Sequence, residues 1–335
     1  MLNPLSAALL DALADPVVLI EGSRIVAINR AARDQLGMRL ANADVRLAIR
    51  HPDVLDAILA RRDATLDVVG IGRPDQPWRV HVSALEDHML VRMVDRAAER
   101  AAERMRVDFV ANASHELRTP LAGILGYAET LADEGTMEEE TRRRFATTIE
   151  TEARRMLRIV EDLMGLSRIE ADRFRVPREP IDLARLVRDA VDEAQTHAAS
   201  RGCKIRTEID EGLPPVRGDE AQLMQLTDNL VANAIRYGCG ERCDEILVAL
   251  SRSGRERVRL RVADKGPGIA PEHLPRLTER FYRVDAARSR ERGGTGLGLA
   301  IVKHIAERHR GTLNIASAVG TGTTVTVDLP VIRAT

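Results

Sequence analysis

A chain of 335 residues exceeds most single cores and suits two or three domains, and its 44% apolar content can fill them, which excludes wholesale disorder. The 50 Lys and Arg balance 51 Asp and Glu to a net charge of -1, and 2% of residues are aromatic. Neither the basic field nor the stacking platforms that nucleic acid requires are present, so no nucleic-acid partner is expected.

The chain starts MLNPLSAALLDALADPVVLI, without a basic n-region or a cleavage signal, and no uninterrupted apolar run approaches the ~20 residues of a spanning helix. A cytoplasmic chain, or the cytoplasmic part of a membrane-anchored one, is expected. Val17 to Ile20 is a β-branched run, Glu21-Gly22 a turn, Arg24 to Ile28 a second strand, and Asn29 a cap for a short helix carrying Ala31, Ala32 and Leu36. After His51-Pro52 come a helical stretch and three strands near Thr65 to Ile71, Trp78 to Ser83 and Met89 to Val94. This order of elements resembles a PAS sensor domain, assigned to residues 1–95.

From Asp95 the composition turns to Ala, Glu and Arg. Ala98, Ala102, Met105, Phe109, Ala113, Leu117, Leu121, Ile124, Ala128 and Leu131 step by threes and fours, the period of one long amphipathic helix. Thr136 and Glu139 have the spacing of a capping box opening a second helix, striped by Phe145, Ile149, Ala153, Met156, Val160, Leu163 and Leu166. The hairpin, residues 96–173, leaves its stripe exposed until two copies pair as a four-helix bundle, so a homodimer is expected. Within the first helix, His115 lies about 200° from Ala113 and Leu117 and so faces solvent. Thr119 shares its face, Pro120 should bend the helix just below it, and Glu116 can hold one ring nitrogen.

Residues 174–335 read as a mixed α/β domain. Asp182 caps a helix to about Ser200, Lys204 to Ile209 is a strand, and Asp219 with Gln222 caps a helix ending near Tyr237. Strands follow at Glu245 to Ser251 and Arg257 to Asp264, then a glycine-rich stretch, a helix over Leu299 to Arg308, and strands near Leu313 and Thr323 to Leu329. Asn229, Asn233 and Arg236 share one helical face, where amide oxygens suit Mg²⁺ and a guanidinium suits phosphate; Tyr237 follows. Asp264 continues the inward row of Val258, Leu260 and Val262, and a buried acid calls for a ligand or an internal donor. Gly266 and Gly268 let the following backbone approach something flat. Gly293, Gly294, Thr295, Gly296, Leu297 and Gly298 lead into a helix and offer backbone N–H groups to anions, without the spacing of a Walker A or dinucleotide loop. Cys239 and Cys243, with no further Cys or His nearby, make a poor zinc site and read as unremarkable thiols. Together with Cys203 they are an odd number, which speaks against a secreted disulfide framework and for a reducing cytosol.

The string Phe109-Val-Ala-Asn-Ala-Ser-His115-Glu-Leu-Arg-Thr-Pro120-Leu resembles the H-box of sensor histidine kinases, the transmitters of two-component signalling, of the phosphate-sensor type. The stretches around Asn229, Asp264 and Gly294 resemble, in order, the N-, G1- and G2-boxes of that family's Bergerat-type ATP-binding domain. Glu279 to Arg283 resembles its F-box, part of the nucleotide lid, and Gly320-Thr-Gly322-Thr its closing glycine motif. The resemblance implies a multidomain α/β and α protein with ATP and Mg²⁺ as cofactors and a response regulator as partner. It implies that His115 accepts the γ-phosphoryl on Nε2, Glu116 acts as base, and Thr119 positions a water that dephosphorylates the regulator. Asn233 would hold the metal, Tyr237 pack by the adenine, Asp264 accept the adenine amine, and Arg283 belong to the lid. Another ATPase of the same superfamily, or a silent dimeric scaffold, are the rivals.

Overall fold

The computed structural model describes residues 4–37, 40, 42–133, 137–172, 175–239, 245–285 and 294–332. Contacts divide the chain into two compact units, Met1–Ala111 and Asn112–Thr335.

The first unit begins with a helix that the sequence reading left out, α1 (Pro4–Asp11), followed by β1 (Val17–Glu21) and β2 (Arg24–Ile28). Next come α2 (Arg30–Leu36), α3 (Val45–Ala48), α4 (Pro52–Leu59), β3 (Ala64–Val69), β4 (Pro77–Leu85) and β5 (His88–Asp95). The five strands form one antiparallel sheet in the order β2-β1-β5-β4-β3. Alternate residues of β4 and β5, among them Val80, Val82, Met89, Val91 and Met93, point into a core that also takes Ile20, Ile25, Ile58 and Trp78. Asn29 caps α2 as its position predicts, its Oδ1 accepting from Ala32 N at 2.9 Å. Being fully buried, it satisfies more than the cap: Oδ1 also accepts from Val17 N at 2.9 Å, and Nδ2 donates to Asp15 O at 2.8 Å. β3 stops short of Ile71, whose carbonyl instead accepts from the buried Trp78 Nε1 at 2.9 Å.

Helix α5 runs from Ala97 to Ala132 and continues through Pro120. Thr119 Oγ1 donates back to the His115 carbonyl at 3.3 Å, beside the position where proline withholds its N–H. Helix α6 (Glu139–Ala171) opens without the expected capping box. Glu139 is its first residue rather than its third, and Glu138 at the cap makes no side-chain bond. Acid charge in the first turn, from Glu139 and Glu140, suits the helix dipole in its place. Thr136 lies outside the described residues. In the second unit the apolar stripes divide: Ile159, Leu166 and Ile169 are buried, while Leu121, Leu125, Leu157, Val160 and Met164 stay 43–58% exposed.

The remainder is a two-layer α/β sandwich, as expected. Its elements are β6 (Glu179–Ile181), α7 (Leu183–Ser200), β7 (Lys204–Ile209), β8 (Val216–Gly218), α8 (Glu220–Asn233), β9 (Glu245–Ser253), β10 (Arg257–Asp264), α9 (Gly298–Arg308), β11 (Thr312–Ala318) and β12 (Gly322–Pro330). The main sheet runs β11-β12-β10-β9-β7, with β7 parallel to β9 and the other pairs antiparallel. Period two sends Val258, Leu260, Val327 and Leu329 inward under the helices and leaves Arg259 and Arg261 outside. The cap of α7 is as predicted, Asp182 Oδ1 accepting from Ala184 N and Arg185 N at 3.0 and 3.1 Å. Asp219 likewise accepts from Gln222 N at 3.2 Å, but the returning half of the box is missing, since Gln222 Oε1 is buried without a partner.

Candidate active site

The site is assembled where α8, the end of β10 and the start of α9 meet. After Asn233 the helix does not continue in α form to Tyr237 but widens into a π turn over Ala234–Gly238. The wider turn keeps Arg236 beside Asn233, its Nη1 donating to Oδ1 at 3.4 Å, and Asn229, Asn233 and Arg236 line one cavity. Burial makes this guanidinium easier to deprotonate than an exposed one. The π turn also delivers Gly238 against Asp264, so closely that a Cβ at 238 would lie 2.4 Å from that of Asp264. The sequence reading did not single out Gly238, because its role depends on a strand 26 positions downstream.

Asp264 ends β10 with its carboxylate turned in, as the alternation requires. It has internal donors: Oδ1 accepts from Gly266 N at 2.9 Å and from Thr323 N at 3.3 Å. Burial pushes its carboxyl above the usual range, and these two N–H groups oppose the shift. Gly266 has no room for a side chain, since a Cβ there would meet Tyr237 O at 2.7 Å. Gly268, at φ +69°, would drive one into the Ala318 carbonyl at 1.9 Å.

The glycine loop packs against both neighbours. A Cβ on Gly298, the first residue of α9, would stand 3.0 Å from Asn229 Oδ1 and 3.5 Å from Asn233 Nδ2, so both amides overlie the helix start. Leu297 is fully buried and anchors the loop, and Gly296 O accepts from Phe281 N at 2.8 Å. Thr295 Oγ1 accepts from Leu297 N at 3.3 Å and donates to Asp162 Oδ2, on α6, at 2.7 Å. Burial raises the Asp162 carboxyl, against that hydrogen bond. Gly293 lies outside the described residues.

A cavity of ≈ 1610 Å³ joins these parts. Asn229, Asn233, Arg236, Tyr237, Asp264, Gly266, Gly268, Arg283, Gly294, Thr295, Gly296 and Gly298 all line it. Arg158, Glu161 and Asp162 line it as well. They escaped sequence reading because they sit in a helix whose pattern spoke only of bundle packing. His115, Glu116 and Thr119 are not in its wall. His115 and Thr119 are exposed on α5, as expected. Glu116 differs from expectation: its carboxylate serves arginines rather than the imidazole. Oε2 accepts from Arg155 Nη2 at 3.2 Å and from Arg283 Nη2 at 2.9 Å. A charged, forked donor outcompetes a neutral imidazole for a half-buried carboxylate.

The cysteines require a second correction. Cys203, 2% exposed, forms a disulfide with Cys239 across 36 positions, with their Cα atoms 5.8 Å apart. Cys239 is thus no unremarkable thiol, and two of the three cysteines are paired rather than reduced. Cys243 lies outside the described residues.

Comparison with known proteins agrees with this geometry. Residues 105–172 match the His Kinase A (phospho-acceptor) domain, and residues 218–333 match the histidine kinase-, DNA gyrase B- and HSP90-like ATPase. The phosphate regulon sensor protein PhoR of Pseudomonas aeruginosa is 37% identical over 325 residues, 94% of this chain and 72% of that protein. The sensor-like histidine kinase SenX3 of Mycobacterium tuberculosis is 36% identical over 336 residues, 98% of this chain and 78% of its own length. Among solved structures, full-length ShkA in complex with AMPPNP aligns at TM-score 0.50 with 28% identity, covering 70% of this chain and 47% of that one. Acinetobacter baumannii histidine kinase AdeS aligns at TM-score 0.51 with 24% identity over 65% of this chain and 98% of that one, a likeness of fold.

An ATP-binding sandwich joined to a phosphoacceptor hairpin defines a protein histidine kinase. The chain belongs to the sensor histidine kinases of two-component systems, which phosphorylate themselves from ATP and pass the phosphoryl group to a response regulator. No helix among the described residues is long and apolar enough to cross a membrane.

Proposed function

We propose that His115 is the phosphoacceptor of this kinase and that the α8–β10–α9 cavity presents ATP to it. The observation that carries the reading is the convergence of Asp264, the two asparagines and the glycine loop on one cavity, joined by Arg283 to the residue next to His115. The cavity fits a nucleotide: Gly238 and Gly266 leave no side chain between the π turn and Asp264, so a flat ring can lie on backbone. The amide oxygens of Asn229 and Asn233 are hard donors of the kind Mg²⁺ takes, with Asn233 as the principal ligand once Arg236 releases Oδ1. When bound, Mg²⁺ neutralises phosphate charge and leaves the chain mainly the work of alignment.

Asp264 accepts the adenine amine, and Tyr237 packs beside the ring. The N–H groups of Gly294, Gly296 and Gly298 face the phosphates. With its proton on Nδ1, His115 presents the Nε2 lone pair; the Nε2–P bond forms as the bond from phosphorus to the β,γ-bridging oxygen breaks, Glu116 takes the Nδ1 proton as positive charge builds on the ring, and ADP leaves. For this, Glu116 turns Oε1 to the imidazole, since both arginines are held on Oε2. The full chain incubated with Mg²⁺ and ATP labelled in the γ position should acquire acid-labile, base-stable phosphate, and acid-stable label would overturn the reading.

Asp264→Asn replaces an acceptor by a group that also presents donors to the amine, so ATP affinity should fall by about 1–3 kcal/mol by calorimetry. Because burial raises the Asp264 carboxyl, the parent should lose ATP affinity on acidification already above the ordinary carboxylate range, and the variant should not. The fold has the opposite sign: a carboxyl raised in the native state contributes stability below its unfolded pKa and loses it as pH rises through the folded one.

The regulator is dephosphorylated through Thr119, which shares the exposed face of His115. Thr119→Ala should keep autophosphorylation within a few-fold and lengthen the life of regulator phosphate. Loss of kinase activity with an unchanged lifetime would show the role to be misassigned.

The exposed leucines of α5 and α6 support homodimerisation through the hairpin. Residues 1–95 act as a PAS-like regulatory module, 96–173 as the dimerisation and phosphotransfer hairpin, and 174–335 as the catalytic domain. The sheet order β2-β1-β5-β4-β3 supports the first of these, and the relative named for the phosphate regulon supports the phosphate-sensor type. The chain works in the cytoplasm, where ATP and regulators are found.

A further inference from the structure

Arg155, on α6, belongs to none of the motifs above. It is 6% exposed; Nη2 donates to Glu116 Oε2 at 3.2 Å, Nη1 donates to Glu152 Oε2 at 3.4 Å, and Nε is buried without a partner among the described residues. A guanidinium removed from water with part of its fork unused is costly to keep. Arg283 reaches the same Glu116 oxygen at 2.9 Å with its side chain 5% exposed, and its Nε is likewise buried and unpartnered. The two arginines differ in where they are held. Arg155 stands on the helix paired with that of Glu116 and does not line the cavity, whereas Arg283 does line it. A triphosphate carries several negative charges against the single charge of Glu116, so bound ATP draws Arg283 away.

We propose that Arg155 is a positioning residue for histidine phosphorylation, keeping the Glu116 carboxylate in place beside His115 when Arg283 leaves it for the nucleotide phosphates. One carboxylate oxygen, Oε2, remains on the guanidinium of Arg155, and the spare Nε–H lets the fork tighten. The other oxygen, Oε1, which neither arginine holds, is kept in place to receive the Nδ1 proton of His115. The inference rests on the roles given above to His115 and Glu116. Without Arg155 the carboxylate either swings to water or holds Arg283 back from the phosphates, and each slows chemistry without removing a contact to ATP.

The test is a double-mutant cycle in the full chain, read as kcat and KM for ATP in autophosphorylation. Arg155→Met should lower kcat by about 10- to 100-fold, the scale of a misplaced reacting group, with KM changed by less than about 3-fold. In a Glu116→Gln background the same change should cost less than about 2-fold, since no carboxylate remains to position. Arg155→Lys keeps the charge and loses the fork, so it should recover part of the rate at unchanged KM. Equal losses with and without Glu116, or a raised KM at normal kcat, overturn the proposal and leave the base assignment standing. A Glu116→Gln enzyme with the parent's rate overturns both. If the methionine variant fails to fold by circular dichroism, the lysine variant decides alone: a loss of about 3- to 10-fold in kcat is expected, and none overturns the proposal.

Discussion

Replacing His115 by alanine should abolish autophosphorylation and leave ATP binding as it was. His115 is exposed on α5 and contributes nothing to the cavity wall, so the substitution removes an acceptor without touching the nucleotide site. Its neighbours keep their bonds, because Glu116 is paired with Arg155 and Arg283 rather than with the imidazole. Labelling from γ-labelled ATP should fall to background while calorimetry returns an affinity within about 2-fold of the parent, less than the energy of one hydrogen bond. Phosphate that persists in the variant would place the acceptor elsewhere.

Opening the Cys203–Cys239 bridge should give the largest change in stability. The bond closes a loop across 36 positions, and the entropy released to the unfolded chain on cutting such a loop corresponds to about 3–4 kcal/mol. Cys239→Ser and reductant treatment of the parent should therefore lower the denaturation midpoint of the catalytic domain by the same amount, and reductant should do nothing further to the variant. A parent that melts identically with and without reductant would show that the bridge does not form in solution. Cys239 follows directly on Gly238, whose backbone lies against Asp264, so ATP affinity should fall along with stability.

Much of this architecture is local and therefore legible. Asn29, Asp182 and Asp219 cap helices because a short polar side chain before a periodic run has few other uses, and period two in β10 sufficed to turn Asp264 inward. What escaped depends on partners distant in sequence or on backbone geometry that propensity does not encode. The π turn after Asn233 has no compositional mark, and it is what sets Gly238 against Asp264. Cys203 and Cys239, 36 positions apart, are brought together by the packing of α7 on α8. The capping box failed because spacing alone does not say where a helix starts. Glu116 was given to its neighbour His115, whereas its partners are 39 and 167 positions away.

The bond from Thr295 to Asp162 ties the phosphate loop to the hairpin. Asp162 and Glu161 both stand in the cavity wall, two carboxylates facing the space a triphosphate must enter. Arg158, Arg236 and Arg283 in the same wall offset that charge, but phosphates that enter still compete with Asp162 for the loop that Thr295 anchors. If ATP binds at the proposed site, nucleotide occupancy and the hairpin's hold on the loop should be coupled with negative sign, and such coupling is reciprocal: the factor by which that hold weakens ATP binding is the factor by which ATP weakens the hold. A stimulus that does no more than tighten or loosen the hairpin's grip on Thr295 should then change the enzyme's apparent appetite for ATP, without any signal reaching Asp264 itself.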